Sequence, residues 1–178
     1  AVSISAGVAA ITSAVPALYS HRVLLAIIFL VLVTIINLRG VRESGTIFAV
    51  PTYFFIFSMM LLIITGIYQV LTGTLAAQNP IVQAGFPAVS IFVLLRAFSS
   101  GCSALTGVEA ISNGVPAFRE PESENAVKTL KWMALILAVL FVGITYLSFA
   151  AKIVPTEQET VVSQLARTIL GSGPLYFI

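Results

Sequence analysis

The sequence predicts an all-α membrane protein, and three observations carry that prediction. Of the 178 residues, 58% are hydrophobic and only 9% are charged, against about 25% charged in a typical soluble domain. No charged residue precedes Arg22, none lies between Glu43 and Arg96, and none lies between Lys131 and Lys152. A helix needs about 20 mostly apolar residues to cross the hydrocarbon core, and these runs supply them. Most of the charges gather in short segments between the runs, at 39–43, 119–131 and 152–159; Arg22, Arg96, Glu109 and Arg167 stand apart.

The elements follow in order. Residues 1–13, rich in Ala, Ser and Gly, read as the end of a first span that stops before a turn at Pro16. Ala1 opens in mid-hydrophobic sequence without Met, a basic region or a cleavage site, so a signal peptide is not expected. Residues 173–178 also stop in apolar sequence, and the chain is expected to be an excerpt of a longer protein. A second span covers 17–38, apolar from Val23 onward except for Thr34 and Asn37, and ends at Arg39-Gly40-Val41-Arg42-Glu43. A third fills 46–71; Thr72-Gly73-Thr74 and Gln78-Asn79-Pro80 mark the loop after it.

The fourth apolar stretch, 88–118, differs from the rest. Ser99, Ser100, Gly101, Ser103, Thr106, Gly107, Glu109, Ser112, Asn113 and Gly114 interrupt its middle. The charged segment 119–128 reads as a solvated loop, and the fifth span, 132–151, carries Trp132 and Tyr146 toward its ends, where amphipathic rings settle. After a polar loop at 152–159 a last helix covers 160–178. Together these make one transmembrane domain over 1–178. Putting the Arg39/Arg42 loop in the cytoplasm places Arg119, Lys128 and Lys131 on the same side, and leaves Arg22, Arg96, Lys152 and Arg167 on the other.

Composition also excludes functions. No basic run or stripe exists to hold nucleic acid. One cysteine, Cys102, rules out an internal disulfide framework and a Cys-based metal site, and one histidine, His21, argues against His-rich metal chemistry. Ser103 or Cys102 as an enzyme nucleophile would need a base beside it, and the membrane portion offers no His or Lys. An enzyme is therefore not expected, and no cofactor.

Glu109 is the residue that stands out. It lies in an apolar run between Arg96 and Arg119, far from either. An ionised carboxylate at membrane depth costs several kcal/mol unless it is paired or wetted, and such residues mark ion or proton paths. The competing reading is a structural carboxylate paired with another helix. Gly101, Gly107 and Gly114, with hydroxyls between them, suggest a discontinuous helix around Leu105-Thr106-Gly107-Val108-Glu109. Such irregular backbone survives in a membrane only when buried or lining a wet cavity, and transporters use it to expose carbonyls to cations. Ser99, Ser100 and Ser103 are better explained by packing or by bonds to their own helix than as ligands, and Cys102 by packing. Glu120, Glu122 and Glu124 look like a metal site only superficially, because Lys128 and Lys131 follow them in what reads as a linker.

These residues support a resemblance. Asn37-Leu-Arg-Gly-Val-Arg-Glu-Ser-Gly45, ahead of a long apolar span, resembles the fourth-to-fifth helix junction of the amino acid–polyamine–organocation superfamily. Gly107-Val108-Glu109-Ala110 before a Pro-containing acidic loop resembles its sixth helix. Residues 2–7, 10–14 and above all 97–113, with Pro116-Ala-Phe118, are similar to KimA-type potassium importers. The resemblance implies a LeuT-like fold of two inverted five-helix repeats, this chain running from the end of helix 3 to the start of helix 8. It implies proton-coupled potassium import across the bacterial cytoplasmic membrane, with potassium held between helices 1, 3 and 6. By it Ser3 and Thr106 are potassium ligands, Gly107 is the site of unwinding and Glu109 is the protonatable partner. It further implies a homodimer and a cytoplasmic C-terminal domain, absent here, that binds cyclic di-AMP.

The chemistry agrees with that set. Potassium suits neutral hydroxyl and carbonyl oxygens, and desolvation favours the protonated carboxyl that proton coupling needs. An amino acid or polyamine permease of the same superfamily remains the alternative; Val108, where such permeases commonly carry an aromatic residue after the glycine, favours the ion. A non-transporting scaffold or sensor is the other alternative.

Overall fold

The structure is a computed structural model that describes residues 2–38, 41–76, 90–102, 106–156, 159–171, 173 and 176, without the side chains of 41–46 and 106. Among the described residues every regular element is helical. The α-helices are α1 (Val2–Ala14), α2 (Arg22–Leu38), α3 (Val41–Thr72), α4 (Ile91–Cys102), α5 (Thr106–Asn113), α6 (Glu122–Ala150) and α7 (Val161–Leu170). Tighter 3-10 turns occupy Pro16–His21 and Val115–Ala117. Four segments are long and apolar enough to cross a membrane: Pro16–Leu38, Ile47–Thr72, Ile91–Asn113, which takes in α4 and α5, and Glu122–Ala150. The helix is the form that pairs every backbone N–H and C=O within one segment, which hydrocarbon demands. The all-α membrane class is therefore what the structure has.

Three element boundaries differ from the expectation. The segment 119–128 is not a loop throughout, because α6 already begins at Glu122. Pro121 precedes its first turn, and Glu122 and Glu124 sit within it, where carboxylates meet the positive end of the helix dipole. Asn125 Nδ2 also donates to the Arg119 carbonyl at 2.9 Å, closing the chain onto that turn. Helix α3 likewise starts at Val41, so Arg42 and Glu43 belong to it rather than to a loop. At the other end α7 stops at Leu170 instead of running on to 178. Gly171 has φ +74°, a conformation that side chains resist, and lets the chain leave the helix there. The expected turn at Gln78-Asn79-Pro80, and Arg39, Ser103 and Leu105, lie outside the described residues.

Contacts divide the chain into two compact units, residues 1–80 with 142–178, and residues 81–141. In the first unit α1 packs on α2 and α7, and α3 packs on α7. Leu147 and Leu165 are fully buried, with Val8, Met59, Leu62, Ile63, Ala151 and Ile169 around them. Two glycines make that packing possible. A Cβ on Gly66 would stand 2.7 Å from both Leu147 Cδ1 and Ile169 Cδ1, and one on Gly143 would stand 2.8 Å from Ile63 Cδ1. Small residues of this kind let membrane helices approach closely. Gln69 Nε2 donates to the Ile169 carbonyl at 2.8 Å and so satisfies one of the open carbonyls at the end of α7. Helix α2 buries no residue; its exposed Leu, Ile and Val side chains match lipid rather than water.

The second unit is sparser. Its buried residues among those described are Ala126 and Leu140, both on α6. All of α4 is exposed. Ser90 opens that helix as its cap, its Oγ accepting from the Val93 N–H at 3.3 Å. Helix α5 ends where the Gly114 N–H donates to the carbonyls of both Ala110 (3.0 Å) and Ile111 (3.2 Å), tightening the chain into the 3-10 turn at Pro116.

Candidate ion site and the cavity beside α1

The predicted site residues fall into both units. Ser3 lies in the first turn of α1 and is exposed. Thr106, Gly107 and Glu109 come together in the first turn of α5. The side chain of Thr106 is outside the description, and residues 103–105, between α4 and α5, are too, so of the break expected over Leu105–Glu109 only 106–109 can be followed. Gly107 and Glu109 are themselves helical. Ser3 belongs to the first unit and the α5 group to the second.

Gly107 has a packing role that sequence reasoning missed. A Cβ there would stand 3.1 Å from Met133 Sδ and 3.5 Å from Met133 Cε, so the bare face of α5 receives a side chain from α6. Glu109 is exposed, and among the described residues nothing bonds to or pairs with it. Helix α5 is only eight residues long, and Met133 reaches its Gly107 face. The carboxylate is nonetheless well placed electrostatically, since the first turn of a helix carries unpaired N–H groups and positive potential. Among the described residues no cluster of three His, Cys, Asp or Glu side chains forms a transition-metal site.

The first unit holds a cavity of about 610 Å³ between α1, α2 and the approach to α7. Its polar lining includes Ser5, Thr12, Ser13, Arg22, Glu159 and Thr160. Arg22 Nη1 donates to Tyr19 Oη at 3.0 Å and its guanidinium lies over the same ring, 5.0 Å from the centroid. Glu159 is held by Arg167 Nη2 at 3.0 Å and accepts from Ser163 Oγ at 3.0 Å. Thr160 caps α7, its side chain accepting from the Ser163 N–H at 3.3 Å. The bonds named join residues no more than eight apart, but the cavity's lining comes from two distant stretches, 5–27 and 156–160, which is why periodicity gave no sign of it.

Two comparisons with known proteins bear on this arrangement. A family model described as amino acid permease matches residues 1–173. The potassium transporter KimA of Bacillus subtilis (strain 168) is 47% identical over 180 aligned residues, which cover all of this chain and 30% of that protein. The chain thus spans a little under a third of the length of the curated relative it matches.

Proposed function

The chain belongs to the amino acid permease family, and from that premise we propose that it is part of a secondary transporter that imports potassium across the bacterial cytoplasmic membrane, driven by protons. One observation carries the substrate: 47% identity along the whole chain to a potassium transporter. The multi-pass, all-helical architecture supports the transporter class.

In this reading Ser3 and Thr106 supply hydroxyl oxygens to a dehydrated potassium ion, and backbone carbonyls released near Gly107 add to them. Neutral oxygens replace the hydration shell without the desolvation cost that a charged ligand would bring. Glu109, in the first turn of α5, takes up and releases the coupling proton. The family resemblance adds a homodimer and cyclic di-AMP bound by a cytoplasmic domain outside this chain.

The test is rubidium uptake by the full-length protein in cells lacking other potassium importers. Joint Ser3→Ala and Thr106→Ala substitution is expected to lower uptake at least about tenfold at equal membrane abundance, a change of about 1.4 kcal/mol. Normal uptake in that variant would remove both residues from the ion site. Glu109→Gln is expected to abolish the pH dependence of uptake; unchanged pH dependence would assign coupling elsewhere. A second reading, amino acid transport, is favoured by the description of the matched family. Uptake of labelled amino acids without rubidium uptake would select it.

A further inference from the structure

Helix α1 carries few bulky side chains. Its sequence, VSISAGVAAITSA, buries only Val8, Thr12 and Ser13. A helix of small residues presents a smooth surface, so apolar packing alone sets its rotation and axial position weakly; directional hydrogen bonds set them sharply. Those bonds converge on Ser13. Its Oγ donates to the Ala9 carbonyl at 2.7 Å and accepts from the Thr160 N–H at 3.0 Å. Its own carbonyl accepts from Tyr176 Oη at 3.3 Å. Tyr176 Oη also lies within reach of Ser163 Oγ, so its single proton is shared between that oxygen and the Ser13 carbonyl. Ser13 is 4% exposed, so water does not replace a bond lost there.

The consequence reaches Ser3. Both serines lie on the same unbroken helix, so a bond that fixes the end of α1 at the cap of α7 also fixes where the Ser3 hydroxyl stands. We propose that Ser13 is a positioning residue for the ion site: it pins α1 to the N-terminus of α7 and thereby sets the place of the Ser3 ligand. This rests on the potassium reading above. Tyr176 strengthens the same pin from the other side of Ser13, through the carbonyl. Helix α1 in a variant lacking the Ser13 hydroxyl keeps its helical form but loses its register against α7.

Rubidium uptake by the full-length protein tests this, with KM and maximal rate measured separately and normalised to membrane abundance. Ser13→Ala is expected to raise KM about fivefold, the size of one lost hydrogen bond, with the maximal rate within about twofold. Ser13→Thr, which keeps the hydroxyl, restores the KM. Tyr176→Phe raises KM in the same direction by less, and keeps the test decisive where Ser13→Ala reaches the membrane poorly. A KM left unchanged by both Ser13→Ala and Tyr176→Phe, while Ser3→Ala raises it, overturns the positioning role and leaves the potassium reading intact. A KM left unchanged by Ser3→Ala overturns Ser3 as a ligand and takes the positioning role with it.

Discussion

Four glycines, two in each compact unit, sit in opposite surroundings. In residues 1–80 with 142–178, Gly66 and Gly143 lie in tight contact with Leu147, Ile169 and Ile63, and a methyl group at either would overlap a neighbour. In residues 81–141, Gly101 has nothing within 4 Å of its missing Cβ, and Gly107 meets only the flexible end of Met133. The first unit is also laced by hydrogen bonds between distant residues, such as Thr160 to Ser13 and Gln69 to Ile169, whereas the side-chain bonds of the second run between near neighbours, such as Asn125 to Arg119. The difference teaches that one kind of residue can serve close packing in one unit and, where packing does not demand it, backbone freedom in the other. Sites that must change shape are drawn from sparsely packed regions.

The comparison predicts a graded set of effects on the thermal stability of the purified full-length protein. Leu165→Ala empties the middle of the first unit and is expected to cost about 2–5 kcal/mol; a cost below about 1 kcal/mol would mean that this core is not tightly packed. Gly66→Ala follows at about 1–3 kcal/mol, from overlap with Leu147 and Ile169, and a neutral result would break the claim that glycine serves packing there. Ser148→Ala has the opposite sign. The Ser148 hydroxyl is buried without a hydrogen-bond partner among the described residues, so its removal is expected to raise stability by about 1 kcal/mol. Gly107→Ala is the smallest, within about 0.5 kcal/mol, because the Met133 side chain can shift. Its effect belongs to transport instead: alanine favours a helix by about 1 kcal/mol over glycine, so a first turn of α5 that must unwind would carry rubidium more slowly at unchanged stability.

Much of the fold was legible because hydrocarbon imposes it. Long uncharged runs leave the chain little choice but helix, and among the described residues every regular element is one. Their edges were harder. Charge at 119–128 suggested a loop, yet carboxylates at the start of α6 are favourable to a helix, so the same residues carry two meanings. The candidate site was legible as composition: a lone carboxylate among glycines and hydroxyls. Its surroundings were not, because an isolated charge in the sequence does not say whether its helix will be covered. The Ser13 pin was invisible for another reason. Bonds from 13 to 160 and 176 leave no periodic trace, and Ser13 by itself reads as one more small residue in a smooth helix.

Helix α6 runs for 29 residues, roughly 44 Å at the α-helical rise, but its uncharged part, from Trp132 to Ala150, spans roughly 28 Å. That is close to the thickness of a bilayer's hydrocarbon core, about 30 Å. The remainder, from Glu122 to Lys131, carries the charges and is already wound as it approaches the interface. The helix is thus a ruler with its end mark at Trp132. Thicker lipid would draw Lys131 toward hydrocarbon and thinner lipid would strand apolar turns in water, each at fractions of a kcal/mol per Å. The uncharged length of this one helix is thus matched to a bilayer of ordinary thickness.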